Sequence, residues 1–286
     1  MTTTMTTGRL DAELVRRGLA RSRGHAADLI AAGRVRVDGT PAHRAATQVD
    51  ETREIGVEAD ADDPGYASRA AHKLADALDA YGDAGPRVAG RVCLDAGAST
   101  GGFTDVLLRR GAERVVAVDV GHGQLVERLR RDPRVDVREH VNVRDLRAGD
   151  VTPAPGLVVG DLSFISLTLV LEPLLAVAAP GADLVLLVKP QFEVGRDRLG
   201  ADGVVRAPAL WDRAVTAVAE RATALGATVR DVRPSSLPGT HGNVEFVLWA
   251  LAPGAPLPVA GVDLAGVVAR AVDAARACAA PGEVVR

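Results

Sequence analysis

Lysine is almost absent from this chain: of 34 Lys and Arg residues among 286, only Lys73 and Lys189 are lysines. The distinction is chemical. A guanidinium stays protonated at any working pH, whereas a crowded or buried ammonium can lose its proton and act as a base. Lys189 stands in LLVKPQF and Lys73 in SRAAHKL, and two carboxylates occupy segments of similar character, Asp161 in VVGDLSF and Glu245 in GNVEFVL. Brought to one place, two ammoniums and two carboxylates could depress one ammonium through like charge and desolvation while the carboxylates orient it. A neutral Lys189 could then take the proton of a hydroxyl as its oxygen attacks a methyl group in line. On these residues alone a second reading stays open: ordinary ion pairs at a sheet edge, or two lysines left by chance on a solvated face.

A glycine-rich turn, LDAGASTGGFTD, supplies the other chemistry. In a strand-to-helix connection such a turn brings backbone N–H groups and a helix N-terminus against a ligand. Gly97 to Thr104 nearly fits the phosphate-loop spacing, but Phe103 holds the lysine position, which disfavours a nucleoside triphosphate. The dinucleotide fingerprint fails as well, with Ser99 in place of its second glycine. Asp95, before Gly97, suits a cationic amino-acid moiety, and Asp119, ending the next strand, suits a ribose diol. Together they suggest S-adenosylmethionine, although a turn with a purely structural role remains compatible with the same residues.

The elements that must position these groups alternate between strand and helix from Arg91 to Leu251. Strands are expected at Arg91–Ala96, Arg114–Val120, Val135–Arg138, Leu157–Leu162, Asp183–Val188, Thr228–Val232 and Val244–Leu251. Helices are expected at Asp105–Arg110, Leu125–Arg131, Leu167–Ala178 and Leu210–Leu225. Several strands are apolar throughout, as in a parallel sheet covered on both faces, so the fold class is α/β with a doubly wound sheet. Asp161 and Lys189 then fall at the carboxyl ends of strands, where such folds bind ligands.

The N-terminal part reads differently. RLDAELVRRGL and RGHAADLIAAG form two short helices, and RVRVDGT is a basic strand turning at Asp38-Gly39. Through Val49, eight arginines face four carboxylates, a balance of +4 within a chain of net charge −3, which points to a polyanionic partner. An acidic stretch ending in Pro64-Gly65 marks a boundary, and an Ala/Val-rich helix over 263–280 follows a Pro-rich segment. These signals divide the chain into 8–60, a linker at 61–68, a catalytic domain at 69–252 and a C-terminal piece at 253–286. Cys93 and Cys278 lie far apart and no His, Cys or carboxylate set has metal-ligand spacing, so neither a disulfide nor a metal is expected. Without a secretory signal or a run long enough to span a bilayer, a cytoplasmic protein with no membrane partner is expected.

The motif string SRAAHKL, LDAGASTGGFTD, DLSFISL, LVKPQFEVGR and GNVEF, preceded by RLDAELVRRGLARSRGHAADLIAAGRVRVDG, resembles the TlyA family of ribosomal RNA 2′-O-methyltransferases. The resemblance implies a Rossmann-like S-adenosylmethionine-dependent methyltransferase sheet of the FtsJ type behind a small α+β RNA-binding domain of the S4 type. It places the family's catalytic Lys-Asp-Lys-Glu tetrad on Lys73, Asp161, Lys189 and Glu245, so both lysines fall on it. It implies a cofactor pocket of Asp95, Gly97, Gly101, Gly102, Phe103, Asp119, Val120, Asn142, Val143 and Asp161. RNA contacts fall on Arg9, Arg16, Arg17, Arg21, Arg23 and Arg36, chiefly to phosphates. The implied substrate is cytidine ribose in 23S, and in some members 16S, ribosomal RNA within ribosomal subunits. One departure is Tyr66, where family members carry a tryptophan before the Ser-Arg pair. Because members have also been called haemolysins, a membrane-active protein is the alternative of another class; a non-catalytic ribosome-assembly factor and a small-molecule O-methyltransferase are further ones.

Overall fold

Seven strands form the sheet on which the candidate site is built, and those at its centre are the apolar segments that the sequence predicts. The computed structural model describes residues 7–20, 23–58, 64–200, 202–254 and 262–279. Arg21, the acidic stretch 59–63 and the Pro-rich stretch 255–261 lie outside the described residues. The chain divides into two units, Met1–Arg69 and Ala70–Arg286.

In the first unit, β1 (Gly8–Arg9) leads into α1 (Leu10–Arg16), followed by α2 (Arg23–Ala31), β2 (Val35–Val37), β3 (Thr40–Pro41), β4 (Gln48–Val49) and β5 (Ile55–Val57). β2 lies between β3 and β5, antiparallel to both, and β1 pairs with β4. Asp38 and Gly39 both take positive φ, 48° and 76°, between the paired residues Val37 and Thr40. That is the primed two-residue turn whose twist matches a hairpin. Leu10, Leu14, Ala26, Leu29, Ile30, Val35 and Ile55 close a small core beneath the two helices.

The second unit begins with α3 (Ala71–Tyr81) and continues with β6 (Val92–Ala96), α4 (Gly102–Arg109), β7 (Arg114–Val118), α5 (Glu127–Arg130) and β8 (Val135–Arg138). Its second half runs through β9 (Leu157–Gly160), α6 (Leu171–Val177), β10 (Asp183–Val188), α7 (Pro190–Glu193), α8 (Pro208–Ala224), β11 (Thr228–Pro234), β12 (Phe246–Leu251) and α9 (Leu264–Ala279). The sheet order is β11-β12-β10-β9-β6-β7-β8. β8, β7, β6, β9 and β10 are mutually parallel, and every residue of β6, β9 and β10 is buried, as two-sided coverage requires.

One strand departs from the parallel order. β12 runs antiparallel to both β10 and β11, between which it is inserted. An apolar run buried on both faces carries no signature of its direction, and this reversal brings the start of β12 to the edge where β9 and β10 end. The expected helix over Leu167–Ala178 also divides into a short 3-10 turn, Leu167–Leu169, and α6. Pro173 is tolerated because it sits in the first turn of α6, where its missing N–H has no intrahelical acceptor. The C-terminal helix α9 buries Val267, Val268, Ala271, Val272 and Ala275 in the same core as α8, β11 and β12.

Candidate active site

Lys189 is placed by its own neighbours. Pro190 disfavours helical backbone at the preceding residue, so Lys189 stays extended (φ −112°, ψ 100°) at the end of β10, and Pro190 itself starts α7. Asp161 follows β9, its N–H donating to Ala96 O at 3.2 Å. Glu245 precedes β12, and the pairing of Val188 with Phe246 sets it beside Lys189 on the same sheet edge. Lys73 reaches that edge from the first turn of α3.

The four residues are gathered as two pairs. Lys73 Nζ donates to Glu245 Oε2 at 2.6 Å, with both side chains buried. Lys189 Nζ lies 2.6 Å from Asp161 Oδ1, close enough for an ion pair, yet Oδ1 accepts no aligned hydrogen bond. The aligned bond of Lys189 goes to Ser163 Oγ at 2.9 Å. Thus Glu245, expected to orient Lys189, has Lys73 as its direct partner, and Ser163 is a contact that sequence reasoning missed although it stands inside the DLSF motif. Gly239 makes room for Glu245: a Cβ there would overlap its carboxylate. Asn243 holds the same turn, accepting from Val205 N–H at 3.0 Å and donating to Gly203 O at 3.2 Å.

Beside these pairs lies a cavity of about 500 Å³. Gly97, Asp119, Val120, Asn142, Val143 and Asp161, all expected at the cofactor site, line it. Asp119 is held by two backbone donors, Ser99 N–H at 2.8 Å and Gly121 N–H at 2.7 Å, one to each oxygen. Asn142 caps the turn at Val143–Asp145 by accepting from Arg144 N–H. Gly97 has φ 85°, and a Cβ there would press on Asp161 O and Leu162 at 3.1 Å, so only glycine leaves this wall open. Leu162, Ser163, Phe164, Ile165 and Val170 complete the wall near the ion pairs. None of these five was singled out from sequence, since the four apolar ones read as core and Ser163 as a loop residue beside them. Phe164 is 91% exposed with φ 65°, its ring 5.3 Å from that of Phe192.

Four residues expected at the cofactor do not line the cavity. Asp95 is fully buried inside β6, where Thr104 Oγ1 donates to it at 2.7 Å and its other oxygen accepts nothing. Burial pushes its carboxyl up to about 7 against the Thr104 hydrogen bonds, with Asp161 and Asp119 adding to the rise. Gly101, at φ 97°, is open because Leu125 and Leu129 occupy the space a Cβ would need, so helix packing requires this glycine. Gly102 starts α4, and Phe103 is buried in its first turn.

The donor set suits S-adenosylmethionine. A fixed carboxylate faces the space a ribose diol would fill, Val120 and Val143 offer apolar area to a base, and the glycine cradle at Gly97 admits close approach. Among the described residues, no group of three or more His, Cys, Asp or Glu could hold a metal ion.

In the first unit, the arginines expected to meet RNA are organised by two buried carboxylates of α1. Asp11 receives Arg9 through two hydrogen bonds, 3.0 and 2.9 Å, and Arg23 at 3.0 Å. Glu13 receives Arg16 at 2.7 and 2.6 Å and Arg17 at 2.6 Å, and the Arg16 and Arg17 hydrogen bonds hold its carboxyl down to about 2. Arg36 pairs with Glu58 at 2.9 Å. Arg17 also donates to the backbone carbonyls of Asp50 and Arg53, which makes it a clamp on the loop between β4 and β5.

Comparison with known proteins places both units. The FtsJ-like methyltransferase family matches residues 66–251 and the S4 domain family matches residues 8–55. The chain is 56% identical over 241 residues to the 16S/23S rRNA (cytidine-2'-O)-methyltransferase TlyA of Mycobacterium tuberculosis, covering 84% of this chain and 88% of that one. It is 36% identical to Hemolysin A of Brachyspira hyodysenteriae, covering 84% and 98% respectively. A solved structure from Streptococcus thermophilus, provisionally called a hemolysin, is 34% identical with TM-score 0.73, covering 96% of this chain and 99% of that one.

Proposed function

We infer the reaction from family membership: the chain belongs to the TlyA family of FtsJ-like ribosomal RNA methyltransferases. It methylates the ribose 2′-hydroxyl of cytidine in ribosomal RNA, with S-adenosylmethionine as donor and ribosomal subunits, in the cytoplasm, as the setting. The observation that carries the reading is the pairing of the chain's two lysines with Glu245 and Asp161 at one edge of the sheet, beside the cavity that Asp119 lines. The haemolysin names of some relatives do not alter it; among the described residues no helix is long and apolar enough to cross a membrane.

S-adenosylmethionine, when bound, supplies an electrophilic methyl group on a sulfonium. Asp119 would hold its ribose diol and Val120 and Val143 would pack on its base, while Asp161 borders both this space and Lys189. Lys189 takes the proton of the attacking hydroxyl; a general base contributes roughly 10²–10⁴-fold to such a step. Lys73 neutralises Glu245, so that the buried carboxylate does not draw the Lys189 ammonium away from Asp161. The N-terminal unit docks on RNA through Arg9, Arg16, Arg23 and Arg36, whose contacts to phosphates give affinity without reading bases.

The test is transfer of labelled methyl groups to purified, unmodified 30S and 50S subunits by the wild type and by Lys189→Arg, with products mapped by ribose-methylation-sensitive primer extension. Label on a cytidine ribose that vanishes in the variant is expected. Normal turnover by Lys189→Arg would remove the base assignment, and no transfer despite tight subunit binding would favour a non-catalytic assembly factor.

A further inference from the structure

We propose that Lys189 acts on the substrate hydroxyl through Ser163, whose Oγ carries the proton from the cavity to the amine. The proposal rests on the reading above. Ser163 lines the cavity; Lys189 does not, and only 7% of its surface is exposed. Around Nζ stand Asp161 Oδ1 at 2.6 Å, Ser163 Oγ at 2.9 Å and the Phe192 ring, with its centroid at 6.0 Å. Asp161 and Ser163 both touch the amine and line the cavity; Asp161 is the ammonium's counter-charge, whereas the Ser163 hydroxyl can accept one proton while donating another.

The serine is also held in place. Asp161, two residues earlier, is tied to β6 through Ala96 O, and Phe164, one residue later, takes left-handed backbone. Beyond it, Ser166 Oγ and Leu167 N–H both donate to the carboxylate of Glu193, on the helix that Lys189 caps. The loop carrying Ser163 is therefore anchored to β6 before the contact and to the segment carrying Lys189 after it.

As an ammonium, Lys189 donates to Ser163. As a neutral amine it offers a lone pair, and the same 2.9 Å contact runs the other way, with the Ser163 O–H donating. In the reaction the substrate O–H passes its proton to Ser163 Oγ while the Ser163 proton moves to Lys189 Nζ. The freed electron pair on the substrate oxygen forms the bond to the methyl carbon. The carbon–sulfur bond breaks and leaves its pair on sulfur as a neutral thioether. Ser163 ends as a hydroxyl and Lys189 as an ammonium beside Asp161, which returns its proton to solvent before the next turnover.

The experiment compares Ser163→Ala and Ser163→Thr with the wild type, using full-length protein and the subunit that accepts label. Under single-turnover conditions Ser163→Ala should slow methyl transfer by about 10²–10⁴-fold, with binding of S-adenosylhomocysteine, read by calorimetry, within twofold of wild type. Ser163→Thr, which keeps the hydroxyl, should recover most of the rate. The rate plotted against the deuterium fraction of the solvent should curve for the wild type, because two protons move, and become linear in Ser163→Ala. A Ser163→Ala rate within threefold of wild type, or a linear wild-type plot, would overturn the proposal. A second readout needs no turnover. Protein labelled with [13Cε]lysine should give two side-chain signals, and the one lost in Lys189→Arg belongs to Lys189. Ser163→Ala should shift the pH titration of that signal and leave that of Lys73 in place; an unmoved Lys189 titration would overturn the contact itself. If the wild type methylates no ribosomal RNA, the functional reading fails, while the lysine titration still decides whether Ser163 and Lys189 touch.

Discussion

Both units organise their cations around buried carboxylates, but they bury different halves of the pair. At the sheet edge of the second unit, Lys73 and Glu245 are enclosed together, their side chains 10% and 2% exposed. In α1 of the first unit, Glu13 is enclosed at 9% while its partner Arg16 remains 57% exposed. A pair buried on both sides has no water to fall back on, so its geometry is fixed and removal of one partner strands a charge. A pair buried on one side holds a guanidinium in position with several of its five donors still facing solvent. The first arrangement suits a reaction that needs set distances. The second suits a surface that meets a phosphate backbone of variable sequence.

The comparison breaks most visibly at Lys73. Lys73→Met leaves the Glu245 carboxylate buried without its cation and should cost about 3–5 kcal/mol of stability, whereas the double variant with Glu245→Gln should recover much of that loss. Urea unfolding followed by tryptophan fluorescence reads this unit alone, because both tryptophans, Trp211 and Trp249, belong to it. A loss below about 1 kcal/mol would put the pair in the class of surface ion pairs.

A smaller effect sharpens the contrast at Asp95, a buried acid with no cation paired to it among the described residues. Its folded pKa, raised to about 7, lies above its ordinary value of 3.8, so the folded state favours the protonated form. The associated stability is fully present below the unfolded pKa and is lost as pH rises through about 7. Asp95→Asn, which mimics the neutral acid, should therefore melt more than about 2 °C above the wild type at pH 8 and by a smaller margin at pH 5, where only part of the loss between 3.8 and about 7 has occurred. Equal melting at both pH values would mean that Asp95 is ionised at no cost.

The smallest effect belongs to the first unit. Arg16→Ala should change stability by only about 0–1 kcal/mol, yet reduce the salt dependence of RNA binding by about one unit of slope. Filter binding between 50 and 200 mM salt, roughly the range over which phosphate contacts are lost, reads the slope. An unchanged slope would mean that Glu13 keeps the guanidinium to itself.

The same contrast explains what sequence could reveal. β8 and β10 are predicted to their last residue because the alternating segment and the apolar run there are bounded by Asp-Pro, Glu-His, Gly-Ala and Lys-Pro. α5 is shorter than the predicted Leu125–Arg131, since Leu125 lies ahead of the helix and its side chain fills the space beside Gly101. The reversed direction of β12 leaves no mark in a run buried on both faces. The tetrad was legible through the scarcity of lysine, but its division into Lys73 with Glu245 and Lys189 with Asp161 depends on distances across the fold. Asp95 and Gly101 stand in a motif that looks like ligand-binding residues throughout. In the fold, part of that motif serves the ligand wall and part serves the packing beneath it.

The antiparallel β12 has a consequence for the birth of the protein. Lys73 precedes the first strand of the sheet and Glu245 opens the last, 172 residues later. A growing chain therefore releases the ammonium into its folding sheet long before the counter-charge has been translated. A product cut short anywhere before β12 keeps an uncompensated cation and a sheet without the strand that joins β10 to β11. The Lys73–Glu245 pair can therefore form only once the chain has been made through Glu245.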